Sequence, residues 1–79
     1  MKFEVFVTLK KEVLDPQGKA VENALSNIGL SSIRNVRQGK YFTLEVHEND
    51  EEKALKVVKS SCEKLFANQT IENFKFNKI

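Results

Sequence analysis

The sequence is short of the residues that usually reinforce a small protein or give it catalytic chemistry. Its 79 residues include a single cysteine, Cys62, and a single histidine, His47. A disulfide within the chain is therefore excluded, and a metal site built from several such ligands has no basis. Cys62 falls on the apolar side of a helical pattern, which predicts a small buried side chain. A chain of this length allows one domain, spanning residues 1–79.

An excess of one charge and a long apolar run are also missing. Thirteen Lys and Arg against eleven Asp and Glu leave a formal net charge of +2, and the two signs are interspersed. This predicts a soluble surface without the basic footprint of a nucleic-acid-binding protein. The first stretch, MKFEVFVTLKK, carries Glu4 among its apolar residues, so we expect neither a signal peptide nor a membrane span. A free thiol without an export signal favours the cytoplasm.

Two elements are predicted in the first thirty residues. KFEVFVTLK alternates in the manner of a half-buried strand, although Phe6 lies on its polar face. Asp15 can then cap a helix whose first position is Pro16. Gly29 suits the end of that helix, because glycine tolerates the left-handed conformation. The apolar stripe of the predicted helix comprises Ala20, Val21, Ala24, Leu25 and Ile28.

The rest of the chain predicts a hairpin, a second helix and a last strand. In SSIRNVRQGKYFTLEVHE, an irregular strand over residues 33–37 precedes a turn at Gly39 and an alternating strand. Helical spacing follows over residues 49–68, and IENFKFNKI alternates again. The order βαββαβ predicts an α+β fold, a two-layer sandwich of ferredoxin-like type. Its four-stranded antiparallel sheet would carry both helices on one face.

Catalysis has little support in these residues. His47 has no nucleophile at a recognisable spacing, and the chain lacks a phosphate loop, so we expect no catalytic residue, metal or cofactor on it. Binding of single-stranded RNA is an alternative, because Phe6 and Tyr41 are predicted on the open face of the sheet, where bases could stack. Glu45 on the same face and the near-neutral charge argue against it. A second copy of the chain covering Phe6 and Tyr41 is the other explanation.

Gly18 raises a separate question, because glycine in the first turn of a helix costs up to about 1 kcal/mol relative to alanine. Either it only loosens the helix start, or its missing Cβ admits another backbone or a ligand. Arg37 and Lys40 flank Gly39, and two explanations are open for them as well. Their side chains are either solvated or bind a carboxylate or phosphate group. If Gly18 marks a partner surface, Gly18→Ala should weaken assembly and leave the melting temperature unchanged or raised.

Three segments resemble the PurS family, the small subunit of phosphoribosylformylglycinamidine (FGAM) synthase. They are VFVTLKKEVLDPQGKAVENAL, VRQGKYFTLEV and CEKLFANQTIENF, and together they cover nearly the whole chain in the right order. LDPQG followed by VRQGK is the specific part of the resemblance. Gln69 stands where the family often has proline, a departure confined to a loop.

The resemblance implies a single PurS-like domain, residues 1–79, that serves bacterial or archaeal purine biosynthesis. In that complex a glutaminase releases ammonia, and a large synthetase uses it with ATP and Mg²⁺ to convert formylglycinamide ribonucleotide (FGAR) to FGAM. The small subunit bridges the two, assists ammonia transfer, and forms a homodimer or homotetramer. A stand-alone ferredoxin-like module for a small ligand or single-stranded RNA remains the alternative. The expected contact residues are Asp15, Pro16, Gln17, Gly18, Arg37, Gly39 and Lys40 for the partner subunits, and Phe6 and Tyr41 for the homo-oligomer.

Overall fold

The computed structural model describes all 79 residues as three strands and two helices, the second of which continues into a π-helical turn. The elements in chain order are β1 (Lys2–Leu9), α1 (Pro16–Asn27), β2 (Gly39–Glu45), α2 (Glu51–Ser61), the π-turn (Cys62–Phe66) and β3 (Glu72–Lys78). The α+β class is confirmed. The structure has three strands rather than the four predicted, so the predicted βαββαβ order and its ferredoxin-like detail are not confirmed.

The sheet is antiparallel, with β1 in the centre and the order β2-β1-β3. Val5 of β1 lies opposite Phe42 on one side and Phe76 on the other, which places apolar side chains of all three strands on one face. We call this the inner face. The opposite, outer face carries the side chains of the alternate residues, Phe6 and Tyr41 among them. Each of the two outer strands has one edge without a neighbour.

The segment at residues 33–37 forms no strand, which corrects the predicted hairpin. The backbone N–H of Val36 donates to the Glu22 carboxylate at 3.1 Å, and that of Gln38 donates to Asp15 at 2.7 Å. Asn35, directly before Val36, has a positive φ of 58°, a left-handed conformation that regular strands do not contain. Gly39 is therefore not a turn residue but the first residue of β2, opposite Thr8 of β1.

The core lies between the inner face of the sheet and α2 with its π-turn. Cys62 is fully buried there, as predicted for a small apolar side chain. The Phe66 ring stacks on the Phe42 ring with centroids 4.5 Å apart, which joins the π-turn to β2. The buried core residues are Phe3, Val5, Val7, Val46, Ala54, Val58, Cys62 and Ala67.

Helix α1 contributes no side chain to this core. Its start at Asp15 and Pro16 is as predicted, and Gly29 has the expected positive φ of 93°. Its apolar stripe, however, is exposed, with Val21 at 42 % and Ile28 at 72 % of full exposure. Only α2 therefore covers the sheet, where two helices were predicted. The chain measures 50 × 25 × 14 Å, and neither helix is long and apolar enough to span a membrane.

Candidate functional site

The turn before α1 and the segment before β2 are joined by a group of side-chain-to-backbone hydrogen bonds. We call these two stretches, residues 13–18 and 36–38, the junction. Asp15 is buried at its centre, and its carboxylate accepts hydrogen bonds from the N–H of Gly18 at 2.8 Å and of Gln38 at 2.7 Å. The Gln38 bond foremost, then the Gly18 bond and the nearby Arg37 charge, lower the pKa of Asp15 below its usual value. Both carboxylate oxygens are thus already bonded within the chain.

Gly18 is placed against the backbone of the same chain. A Cβ built on it would overlap the carbonyl oxygen of Val36 and lie 2.9 Å from the Oδ2 atom of Asp15. The close approach proposed for this glycine is therefore real, but the approaching backbone is internal. Alanine at position 18 must displace the Val36 carbonyl, so the expectation that Gly18→Ala leaves stability unchanged or raised is replaced by an expected loss.

Arg37 connects the segment before β2 to the turn that follows β1. Its guanidinium donates to the carbonyl oxygens of Lys10 at 3.0 Å and Val13 at 2.9 Å. The side-chain amide of Gln38 donates to that of Gln17 at 3.2 Å. A positive charge that satisfies two carbonyl groups fixes the turn between β1 and α1, so Arg37 has a structural role beside any partner contact.

Gly39 and Lys40 belong to a different neighbourhood, at the start of β2. A Cβ on Gly39 would lie 2.5 Å from the carbonyl oxygen of Val7, so any other residue here would have to displace the backbone of β1. The Lys40 ammonium lies 3.4 Å from the Glu72 carboxylate and donates to the carbonyl of Phe66 at 3.2 Å. Lys40 therefore connects β2 to the π-turn and β3.

The surface of the junction forms an open groove that has mostly polar side chains and one exposed leucine. Leu14 is 80 % exposed, although it directly precedes the buried Asp15. Pro16 and Gln17 are exposed beside it, on the first turn of α1. The groove is lined by Leu14, Asp15, Lys19, Glu22, Asn35, Val36 and Arg37. Of the predicted contact residues at the junction, Pro16 and Gln17 are exposed, while Asp15 and Arg37 form hydrogen bonds that hold the backbone segments together.

Two residues of this site escaped the sequence analysis. Glu22 accepts the N–H of Val36, and that bond is the main reason why the pKa of its carboxyl is lowered. Nothing in the helical pattern distinguished it from an ordinary surface glutamate. Leu14 gave no signal either, because a single exposed apolar residue is common on protein surfaces.

The outer face of the sheet carries a second cluster, around Phe6. The rings of Phe6 and Tyr41 lie 5.0 Å apart, and the Lys75 ammonium lies 5.8 Å from the centre of the Phe6 ring. Tyr41 donates from its hydroxyl to Glu4 at 3.0 Å, and this bond raises the pKa of the tyrosine. Asn77 completes the cluster with a 3.5 Å hydrogen bond to Glu4. The carboxylate in the middle of this face disfavours RNA, whose phosphates it would repel.

The two candidate chemical groups are apart and unconnected. His47 is exposed after the end of β2, whereas burial raises the pKa of the Cys62 thiol in the core. Neither has a hydrogen bond from its side chain to a nucleophile, base or substrate-binding group. No cluster of three or more His, Cys, Asp or Glu side chains is placed to hold a metal ion.

Comparison with known proteins identifies the family. The family model described as PurS, phosphoribosylformylglycinamidine (FGAM) synthase, matches residues 2–79. The FGAM synthase subunit PurS of Bacillus subtilis is 43 % identical over 75 residues, which are 95 % of this chain and 88 % of that subunit. Its counterpart from Thermotoga maritima is 32 % identical over 78 residues, 99 % of this chain and 95 % of that one.

Solved structures agree with the sequence matches. The B. subtilis PurS structure superposes with a TM-score of 0.86 at 42 % identity, over 96 % of this chain and 94 % of that one. A chain in the structure of PurLQS from T. maritima superposes with a TM-score of 0.90 at 32 % identity, over 99 % and 95 % of the two chains. Sequence and fold therefore agree over nearly the whole length, and the chain belongs to the PurS family of FGAM synthase subunits, which act in purine biosynthesis.

Proposed function

We propose that this chain is the non-catalytic assembly subunit of the FGAM synthase complex. In this role it bridges the glutaminase and the ATP-dependent synthetase and assists the transfer of ammonia that converts FGAR to FGAM. The observation that carries the proposal is the match, over nearly the full length of both chains, to a chain in the PurLQS structure. ATP and Mg²⁺ would be used by the larger subunits, and the complex would work in the cytoplasm. The alternative, a stand-alone binding module, has no comparable support.

The junction groove is the surface that we propose for contact with the larger subunits. Leu14, Pro16 and Gln17 are exposed there on a backbone that Asp15 and Arg37 hold in place. A preordered surface loses little conformational entropy on binding, which favours a stable contact. The predicted contact residues thus divide into a few that touch a partner and several that keep the surface rigid.

Homo-oligomer formation is the second part of the proposal. The apolar stripe of α1 contributes no side chain to the core and is mostly exposed, and Phe74 and Phe76 on the inner face of β3 are only half-buried. An amphipathic helix of 12 residues is marginal in water unless its stripe is covered. A second copy offers the half-buried side of its sheet as that cover. Phe6 and Tyr41 on the outer face remain a further candidate contact.

Reconstitution tests the assembly role. FGAM formation by the glutaminase and synthetase would be measured with and without this chain, once with glutamine and once with ammonium as the nitrogen source. We expect the glutamine-dependent rate to fall at least tenfold without the chain and the ammonium-dependent rate to change little. Equal glutamine-dependent rates with and without the chain would contradict the proposal.

A matched pair of variants then tests the groove. Leu14→Asp places a charge at the exposed leucine of the groove, and Leu65→Asp places the same charge at a leucine of similar exposure, 82 %, outside the junction. We expect Leu14→Asp to weaken co-elution with the larger subunits several-fold and Leu65→Asp to leave it unchanged. Equal retention of both variants would show that the partners bind elsewhere.

A further inference from the structure

The outer edge of β3 has no neighbouring strand. β3 pairs with β1 along one side from Glu72 to Lys78, and the sheet ends on its other side. A free edge exposes a row of backbone N–H and C=O groups that can pair with another strand. β2 leaves a similar free edge at the opposite side of the sheet. The two edges differ in their sequences.

The sequence of β3 is nearly symmetric about its centre. ENFKFNK contains NFKFN, which reads the same in both directions about Lys75. If β3 pairs antiparallel with a second β3 at this centre, Asn73 faces Asn77 and Phe74 faces Phe76 of the other copy. Glu72 then lies opposite Lys78; within each chain Glu72 is paired with Lys40 and Lys78 with Glu51, so these ends meet without an unpaired charge. β2, with the sequence GKYFTLE, has no such symmetry.

We propose that β3 pairs antiparallel with β3 of a second copy around a two-fold axis at Lys75. The two three-stranded sheets would then form one sheet of six strands, with the order β2-β1-β3-β3-β1-β2. The inference rests on the proposed homo-oligomer and names one of its contacts. Phe74 and Phe76 are half-buried in the single chain, and the neighbouring copy covers their exposed sides.

Lys75 is the apparent obstacle, because two lysines meet at the axis and lysine on an edge strand usually discourages pairing. The side chain of Lys75 is turned toward β1, however, where its ammonium lies 5.8 Å from the centre of the Phe6 ring. This distance is within the range of a cation–π contact. The contact holds the charge over the chain's own β1 and away from the edge, so the like charges are not forced together at the axis.

Disulfide formation tests this register. Residues directly opposite in antiparallel strands have Cα atoms roughly 4.5–5.5 Å apart, within the range that a disulfide can bridge. In the Lys75→Cys variant, the new cysteine would therefore lie opposite the same cysteine of the second copy, across the two-fold axis. Thr43→Cys is the matched control, since Thr43 is exposed on the outer face of the opposite edge strand. The native Cys62 is buried in both variants.

We expect mild oxidation to convert most of Lys75→Cys to a disulfide-linked dimer, at least five times more than Thr43→Cys. A mixture of Asn73→Cys and Asn77→Cys should give the mixed dimer in preference to either self-linked dimer. Equal crosslinking of Lys75→Cys and Thr43→Cys overturns the β3 contact. If light scattering of the unmodified chain then still shows an oligomer, the proposed homo-oligomer stands with a different contact; a monomer refutes both.

Discussion

Asp15 acts through its two carboxylate oxygens, each of which holds a different backbone segment. Its pKa is lowered in the folded chain, mainly by the Gln38 and Gly18 N–H groups. The ionised form therefore stabilises the fold above the ordinary carboxyl pKa of 3.8, and this contribution disappears as the pH falls through the lower folded-state pKa. Part of the chain's sensitivity to acid should thus arise from this one residue.

We predict that Asp15→Asn lowers stability at pH 7 and reduces the further loss of stability between pH 4 and pH 2. Asparagine keeps one oxygen acceptor but cannot ionise, so that part of the pH dependence is removed. Urea unfolding at several pH values measures both effects. Glu12→Gln, which removes an exposed carboxylate without a hydrogen bond, is the control and should keep the wild-type slope. An unchanged slope in Asp15→Asn would contradict the role given to its carboxylate.

Gly18→Ala is predicted to destabilise the chain by roughly 1–3 kcal/mol, the usual cost of forcing an extra methyl into a packed site. The methyl would meet the backbone carbonyl of Val36, which moves less easily than a side chain. Gln17→Ala, an exposed change in the same turn, should stay within about 0.5 kcal/mol. Thermal melts of the two variants compare them directly. A Gly18→Ala melting temperature at or above the wild-type value would mean that the junction opens without cost.

Cys62 lies where α2 passes into the π-turn, with its thiol against the inner face of the sheet. Burial raises the pKa of the thiol, so little reactive thiolate forms and reagents cannot reach it. We predict that Ellman's reagent labels Cys62 only as the chain unfolds. Lys59→Cys, at an exposed position of the same helix, should add one fast-reacting thiol beside the slow one. Rapid labelling of the native thiol would show that α2 separates from the sheet without global unfolding.

The elements that could be predicted from the sequence are those whose signals are local. The alternation in β1, the cap at Asp15 and the positive φ of Gly29 depend on neighbours within a few residues. The irregular path of residues 33–38 could not be predicted, because Val36 and Gln38 bond to Glu22 and Asp15, which lie 14 and 23 positions away. Periodicity also placed a stripe on α1, but it does not say which surface covers that stripe.

In the candidate site, too, the interactions between residues close in sequence could be predicted and those between distant residues could not. The bond from Gly18 to Asp15 spans three residues and could be predicted as a helix cap. The bonds of Arg37 to the carbonyls of Lys10 and Val13 span 24 or more residues, so the sequence marked Arg37 without showing its role. The comparisons with known proteins, rather than any single motif, carry the family assignment.

The whole molecule is long for its size. Its radius of gyration is 16.0 Å, whereas a compact chain of 79 residues has about 12 Å. The excess reflects a helix that lies outside the core, and a second copy is the simplest way to bury its stripe. Stability should then rise with protein concentration, because association favours the folded state.

We predict that Val21→Asp lowers the mass of the oligomer in light scattering at micromolar concentration, since it places a charge in the exposed stripe of α1. The core contains no residue of α1, so the chain should still fold. Asn23→Asp adds the same charge to the opposite side of the helix and should keep the wild-type mass. Equal masses for the two variants would exclude the stripe as a contact.

Because α1 lies outside the core, its backbone amides should exchange hydrogen on a different timescale from those of the sheet. Only Gly18 of α1 is buried, so the backbone amides of this helix can exchange their hydrogens for deuterium through local opening. The amides of β1, in the centre of the sheet, need a much larger opening. In dilute solution α1 should exchange orders of magnitude faster than β1, and a partner that covers the stripe should slow α1 selectively. Deuterium uptake would thus record when the subunit is assembled.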